Sequence, residues 1–128
     1  MSTSLLALLG FVSWSLLLLV LMEVIRSQLV LTGAVPANGF NPENSNLSPF
    51  MQRLARAHAN CLEGLPIFGG LLLIAAVAGK SHLTDPLAYV QSLIHLASTS
   101  PAAATARFSA FAVQLGIAVY WVFKLHSA

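Results

Sequence analysis

Charge is scarce in this chain of 128 residues: Asp, Glu, Lys and Arg make up only 8% of it, against 57% hydrophobic residues. A soluble domain typically carries about 25% charged residues. The deficit excludes an ordinary soluble domain, and the mean hydropathy of +0.80 places the chain among membrane proteins, with the lipid bilayer as its surroundings. The formal charge is only +2 and no basic run exists, so no nucleic acid is expected as a partner.

Cysteine is nearly absent as well. The single Cys61 excludes a disulfide within the chain. We interpret Cys61 as a small apolar residue of a helix, whereas a reactive thiol would need a nearby cation, for which Arg56 is near enough in sequence. The four histidines lack the spacing of metal ligands, so no metal site is predicted.

The apolar residues fall into four segments, which predicts an all-α integral membrane protein with a bundle of four transmembrane helices. The predicted helices cover residues 4–25, 49–79, 84–98 and 101–125 of one membrane domain, 1–128. The first is interpreted as a retained helix, because it is longer than the core of a signal peptide and no Lys or Arg precedes it. Ser48-Pro49 and Thr84-Asp85-Pro86 are typical helix starts, and Tyr120 and Trp121 near the end of the fourth helix suit an interfacial aromatic belt.

Four polar residues share one face of the second predicted helix: Arg53, Arg56, Asn60 and Glu63. At about 100° per residue they fall within an arc of about 80°. Charged side chains near the bilayer centre cost about 2.5–3.5 kcal/mol on insertion scales, so they are usually paired, interfacial or functional. We call these four residues the polar stripe. It is either a candidate binding pocket or an anchor at the lipid headgroups.

Positive charge indicates an orientation. Four arginines are expected at the membrane face that holds the first and third connections, and two lysines at the other: Arg26, Arg53, Arg56 and Arg107 against Lys80 and Lys124. The positive-inside rule therefore predicts these two connections on the cytoplasmic side. In the absence of an organelle signal we expect a bacterial inner membrane.

The residues from Arg56 to Phe68 carry a recognisable pattern, Arg-Ala-His-x-Asn-x-x-Glu-x-x-Pro-x-Phe. This pattern resembles the signature of the MAPEG family, the membrane-associated proteins in eicosanoid and glutathione metabolism. The resemblance implies four helices per subunit, a homotrimer, and glutathione as co-substrate bound between neighbouring subunits near the cytoplasmic face. Many members of that family are glutathione transferases or peroxidases, with roles such as detoxification, and at least one branch binds lipid without catalysis.

The resemblance also implies site residues. Arg56, Asn60 and Glu63 match positions that contact glutathione, and Arg107 resembles the arginine assigned to the substrate thiol. Enzymatic members carry an arginine, and often a tyrosine, on the third helix. This chain has no arginine there, and Gln91 and His95 are the polar residues of that stretch.

The chemistry of glutathione suggests a role for each group. Arg56 and Arg53 present planar forks for its two carboxylates, Glu63 an anion for its ammonium, and Asn60 an amide for its backbone. Gln91 and His95, the polar residues of that stretch of the third helix, are also expected to contact glutathione. Arg107 is the catalytic candidate, because a guanidinium near a thiol favours the thiolate.

The second substrate is expected to be a hydrophobic small molecule from the bilayer, either an electrophile or a lipid peroxide. Phe111 and Gln114 follow Arg107 by one and two helical turns and are expected to line the inner wall of the cleft.

The sequence thus predicts a glutathione-dependent membrane transferase or peroxidase, with its active site toward the cytoplasm. Two alternatives stand beside it. One is a lipid- or glutathione-binding protein of the same fold without turnover, which the missing arginine of the third helix favours. The other is a small four-helix exporter, which would need a carboxylate near the middle of the first helix, whereas Glu23 lies near its end.

Overall fold

The computed structural model describes residues 1–98 and 104–127, apart from the side chains at 95–98, 104 and 107. The described chain is helical and contains no strand. Its four helices are α1 (Thr3–Leu31), α2 (Pro49–Val77), α3 (Ser81–Ser98) and α4 (Ala104–Ser127).

The helix starts show how the sequence sets the boundaries. The hydroxyl of Ser48 accepts a hydrogen bond from the N–H of Met51 at 3.3 Å, and Pro49 occupies the first helical turn. This is the predicted start of α2. The helix then runs without interruption through Pro66.

Two glycines end the first two helices. Gly33 has φ of 77° and Gly79 has φ of 70°, a backbone conformation that closes the last helical turn. The N–H of Ala34 then bonds the carbonyl of Leu29, and the N–H of Lys80 bonds that of Ala75. Helix α1 therefore reaches six residues beyond its predicted end at residue 25, because helical residues continue up to the first glycine past that point.

Helix α3 begins at Ser81, three residues ahead of its predicted start, and Pro86 lies inside it. Asp85 stabilises another helix instead. Its carboxylate accepts the N–H of Ser4 at 2.8 Å and also the Ser4 hydroxyl, which caps the first turn of α1. A carboxylate at a helix N-terminus satisfies a free N–H and interacts favourably with the helix dipole.

The loop between α1 and α2 is held by Asn44, whose side chain is buried. Its Oδ1 accepts two bonds from the guanidinium of Arg26, and its Nδ2 donates to the carbonyl of Met51 at 2.8 Å. Arg26 also pairs with Glu23 at 3.1 Å. Through these hydrogen bonds Arg26 links the loop to the C-terminal part of α1.

Aromatic rings connect three helices in the core. Phe68 of α2 meets the edge of Phe11 of α1 at 5.3 Å and stacks on Trp121 of α4 at 6.0 Å, measured between ring centroids. Trp121 is completely buried, so its predicted place in an interfacial belt is wrong. An indole that fills the centre of the bundle is withdrawn from the lipid headgroups.

Helix α3 packs extensively against α4 and α1 and less extensively against α2. Helix α1 contacts α2 and α3, and α4 contacts α3 and, less extensively, α2. Within the described chain α1 and α4 do not touch. The first connection and the end of α3 thus lie at the same end of the bundle as the start of α4.

Three helical segments of the described chain are long and apolar enough to cross a membrane: Thr3–Leu31, Pro49–Val77 and Phe108–Ser127. Their outward faces carry large exposed apolar side chains, such as Leu16 and Val24 on α1. Helix α3 has 18 residues, about 27 Å at 1.5 Å per residue, and is more polar. The chain is therefore an integral membrane protein, and α3 as a fourth crossing stays a prediction.

Candidate functional site

The polar stripe lies outside the core of the bundle. Arg56 and Glu63 are exposed, and Arg53 and Asn60 are half-buried. The opposite flank of α2 carries the buried residues, among them Cys61, which is completely buried. The stripe therefore faces whatever adjoins α2 from outside the single chain.

Glu63 lies in the part of α2 that a bilayer would cover. It follows Pro49 by about 14 residues, or about 21 Å along α2. A hydrocarbon layer of about 30 Å that ends with the C-terminus of α2 would reach back past Glu63. In the described part of the chain no cation pairs with this carboxylate. Because an unpaired charge facing lipid is costly, this face of α2 needs protein, water or a ligand against it.

A cleft of about 150 Å³ opens beside Glu63, between α2, α3 and α4. Three of its lining residues are polar: Glu63, Gln91 and Gln114. The others are apolar or glycine: Gly64, Ile67, Phe68, Phe111, Leu115 and Ala118. The cleft thus combines a largely apolar lining with a few polar groups, as small-molecule sites commonly do.

Gln91 forms part of the floor of this cleft and is completely buried. Its Nε2 donates to the main-chain carbonyl of Gln114 on α4 at 3.0 Å. Its Oε1 has no hydrogen-bond partner among the residues that the structure describes. A buried acceptor left without a donor costs about 1–3 kcal/mol, so this oxygen is a natural contact for a polar occupant.

The mouth of the cleft is exposed. Ile67 is 51% exposed and Leu115 41%, whereas Phe68 and Ala118 are buried at the floor. Glu63 stands at the same mouth and is exposed. The opening therefore has one charged group and two flexible apolar side chains at its edge.

A second, smaller pocket of about 140 Å³ lies beside Arg56, lined also by Pro42, Glu43, Ala55 and Ala59. Arg56 and Glu63 thus border different cavities of the single chain. Seven residues, or about 10 Å along the helix, separate them.

The structure brings only some of the predicted site residues together. Glu63 and Gln91 share the cleft, whereas Arg53, Arg56 and Asn60 do not line it. The predicted wall residues Phe111 and Gln114 line it as well.

Two predicted site residues have side chains outside the described part of the structure. His95 lies one turn beyond Gln91 on α3, and Arg107 lies near the start of α4, both placed by their main chain.

The sequence interpretation missed the mouth residues Ile67 and Leu115. Their positions relative to predicted residues could have indicated them, since Ile67 follows Glu63 by one helical turn and Leu115 is the next residue after Gln114. The burial of Gln91 was also not anticipated, because its two sequence neighbours Val90 and Ser92 do not distinguish a buried face from an exposed one.

The model of the MAPEG family matches residues 4–126 of the chain. No curated protein and no solved structure matches it.

Proposed function

This chain belongs to the MAPEG family, and from that membership we propose a glutathione-dependent membrane transferase or peroxidase that acts on hydrophobic electrophiles or lipid peroxides. One observation carries the proposal. Glu63, the last residue of the polar stripe, lines the mouth of a largely apolar cleft, and the buried amide of Gln91 lies at the floor of that cleft. A polar co-substrate and an apolar substrate would meet at such a boundary.

The polar stripe fits glutathione in charge. The tripeptide carries two carboxylates, an ammonium and a thiol, and the stripe offers Arg53 and Arg56 for the carboxylates and Glu63 for the ammonium. Asn60 would bond the peptide backbone. No interaction within the described chain withdraws Arg56 from solvent, since its side chain is exposed.

The stripe also fits glutathione in length. Arg56 and Glu63 are separated by about 10 Å along α2. Three residues in extended conformation span at most about 10 Å. One tripeptide would therefore reach from the arginine end of the stripe to the carboxylate at the mouth of the cleft.

A second copy of the chain would complete the site. The cleft of about 150 Å³ is smaller than the roughly 300–1,000 Å³ of typical small-molecule pockets. Arg56 and Glu63 of the stripe are exposed in the single chain, and a carboxylate within the membrane-spanning part of α2 needs a polar neighbour. We therefore propose a homotrimer in which a neighbouring subunit closes over the stripe, as family membership suggests.

Arg107 is the proposed catalytic residue. A thiol with an ordinary pKa of about 8.5 is mostly protonated at neutral pH, and a guanidinium beside it lowers that pKa. In conjugation the thiolate sulfur forms a bond to the electrophilic carbon and the leaving group departs with its electron pair. In peroxide reduction two glutathione thiols supply two electrons, and a hydroperoxide becomes an alcohol and water while glutathione disulfide forms.

The remaining predicted positions keep their proposed places. His95 is proposed as a glutathione contact near the arginine end of the site, and Gln91 at the floor of the cleft. The orientation proposed from the arginines directs the stripe toward the cytoplasm, where glutathione is available, and a bacterial inner membrane is the proposed location.

Ultraviolet absorbance of glutathione thiolate on the purified trimer tests this function, combined with turnover of a hydrophobic electrophile. We expect a saturable thiolate signal and saturable turnover. Binding without thiolate or turnover would instead favour a non-catalytic glutathione-binding protein of the same fold. Absence of binding would contradict the role assigned to the stripe.

A further inference from the structure

We propose that Gln91 selects the hydrophobic substrate. Its Oε1 accepts a hydrogen bond from the O–H group of an amphiphile, such as a lipid hydroperoxide or a long-chain alcohol, whose apolar chain occupies the cleft between α2, α3 and α4. The proposal rests on the proposed function and narrows its substrate class to molecules that carry a neutral hydrogen-bond donor.

Burial separates Gln91 from the polar stripe. Gln91 is completely buried, whereas Arg56 and Glu63 are exposed. Only atoms inside the cleft reach its side chain, and the cleft is lined largely by apolar residues, whereas glutathione carries two carboxylates and an ammonium. With glutathione along the outer face of α2, the group that meets Gln91 belongs to the other substrate. This changes the glutathione contact predicted for Gln91 into a contact with the hydrophobic substrate.

The hydrogen bonding of Gln91 determines which group it recognises. Its Nε2 is occupied by the main-chain carbonyl of Gln114 at 3.0 Å, which fixes the orientation of the amide. The Oε1 that is left is an acceptor only, and no described residue donates to it. This oxygen therefore binds a ligand that carries an O–H or N–H donor. Ethers, halides and epoxides have no such donor and cannot form this hydrogen bond.

The lining favours a neutral donor over a charged one. Phe68, Phe111 and Ala118 surround the floor with apolar surface. A buried ammonium would lose its hydration without an anion at the floor, and this costs far more than burying a hydroxyl. A hydroxyl or hydroperoxide at the end of an apolar chain meets both requirements.

The mouth of the cleft fits a substrate that arrives through the bilayer. Ile67 and Leu115 at its edge are about half exposed and belong to α2 and α4, two of the three helices that are apolar enough to span the membrane. An apolar chain would pass between them without leaving the hydrocarbon layer.

A pair of matched ligands tests this inference on the purified protein without glutathione. The probes are 2-bromododecan-1-ol and its methyl ether, which carry bromine beside the oxygen and differ by one O–H donor. Bromine quenches tryptophan fluorescence, and Trp121 stacks on the lining residue Phe68. We expect the alcohol to bind about tenfold more tightly than the ether, the size of one hydrogen bond to a buried acceptor.

Two variants locate the acceptor. Gln91→Met should bring the alcohol-to-ether ratio close to one. Ser92→Ala is the matched control, because it removes a different α3 bond, from the Ser92 hydroxyl to the carbonyl of Ala7 at 3.2 Å, and should keep the ratio. If Gln91→Met fails to fold, the comparison of alcohol and ether in the wild-type protein still tests the proposal.

Three results would overturn the inference. Equal binding of alcohol and ether by the wild type would mean that water satisfies the oxygen. A ratio that persists in Gln91→Met, or disappears in Ser92→Ala, would assign recognition to another group. Because glutathione is absent, these results are independent of thiolate formation and turnover, which test the proposed function.

Discussion

Gln91 on α3 donates its side-chain amide to the main-chain carbonyl of Gln114 on α4, with 3.0 Å between nitrogen and oxygen. The bond joins two helices at the floor of the cleft and holds the glutamine amide in one orientation. The same contact that packs α3 against α4 therefore also presents an acceptor to the cleft, so structure and recognition depend on one side chain.

Removing the exposed cation of the polar stripe, Arg56, should weaken glutathione binding. We expect Arg56→Gln to lower the affinity about tenfold, because a charge-assisted hydrogen bond is worth about 1.5–3 kcal/mol and the exposed position reduces that value. Isothermal titration of the purified protein measures the change. Lys124→Gln is the control, since it removes one exposed cation at the other end of the bundle. Equal losses in both variants would indicate an effect of net charge alone.

Neutralising the carboxylate of Glu63 should weaken the contact with one group of glutathione, its ammonium. Glu63→Gln is expected to weaken glutathione binding by about tenfold, and to weaken much less an analogue whose amino group is acetylated, because the lost partner is the ammonium. The affinities of glutathione and its N-acetyl analogue, measured for the wild type and for Glu63→Gln, isolate the contact between Glu63 and the ammonium. A similar loss for both ligands would contradict the assignment of Glu63 to the ammonium.

Substitution of the proposed catalytic residue should separate binding from chemistry. Without its guanidinium, Arg107→Ala is expected to raise the pKa of the bound thiol by about one unit, which lowers the thiolate fraction at neutral pH about tenfold. Thiolate absorbance as a function of pH measures this pKa, and Arg107→Lys should restore part of the effect. An unchanged titration and an unchanged conjugation rate would remove Arg107 from the mechanism.

The cap that joins α1 to α3 predicts a change in stability. Asp85→Ala removes the acceptor for the N–H and hydroxyl of Ser4, and we expect a loss of about 1–2 kcal/mol in the free energy of unfolding. Asp85→Asn keeps an acceptor and should lose less. Thermal unfolding in detergent provides the measurement. If the two variants unfold at the same temperature as the wild type, the cap does not stabilise the fold.

Asn44 combines a backbone requirement with a hydrogen-bonding one. Its φ is 55°, and its side chain binds Arg26 and the carbonyl of Met51. Asn44→Ala should cost about 2–3 kcal/mol, and Asn44→Gly about 1 kcal/mol less, because glycine adopts positive φ without strain. Unfolding of the two variants side by side separates the contributions. Equal stability of alanine and glycine would show that backbone conformation contributes nothing.

The sequence predicted the helices better than their contacts. Local chemistry sets the start of α2 at Ser48 and Pro49, and the prediction is confirmed. The pairing of Glu23 with Arg26 at 3.1 Å is also a local contact, since the two residues lie about one helical turn apart. The partner of Asp85 could not be predicted, because the N–H that it caps lies 81 positions away in the chain.

The candidate site shows the same limit. The shared face of the polar stripe follows from the helical period, and the family resemblance follows from 13 consecutive residues, which the match to residues 4–126 confirms. Which of these residues line a cavity depends on how α3 and α4 pack against α2. For this reason Gln91 emerges at a buried floor and Arg56 beside a different pocket.

The central claim, that the polar stripe holds glutathione beside an apolar cleft, is tested most directly by turnover of a membrane-soluble electrophile in vesicles that contain the purified protein. The account predicts a rate that saturates with glutathione and falls about tenfold or more in Arg107→Ala. A rate equal to that of protein-free vesicles at every glutathione concentration would contradict it.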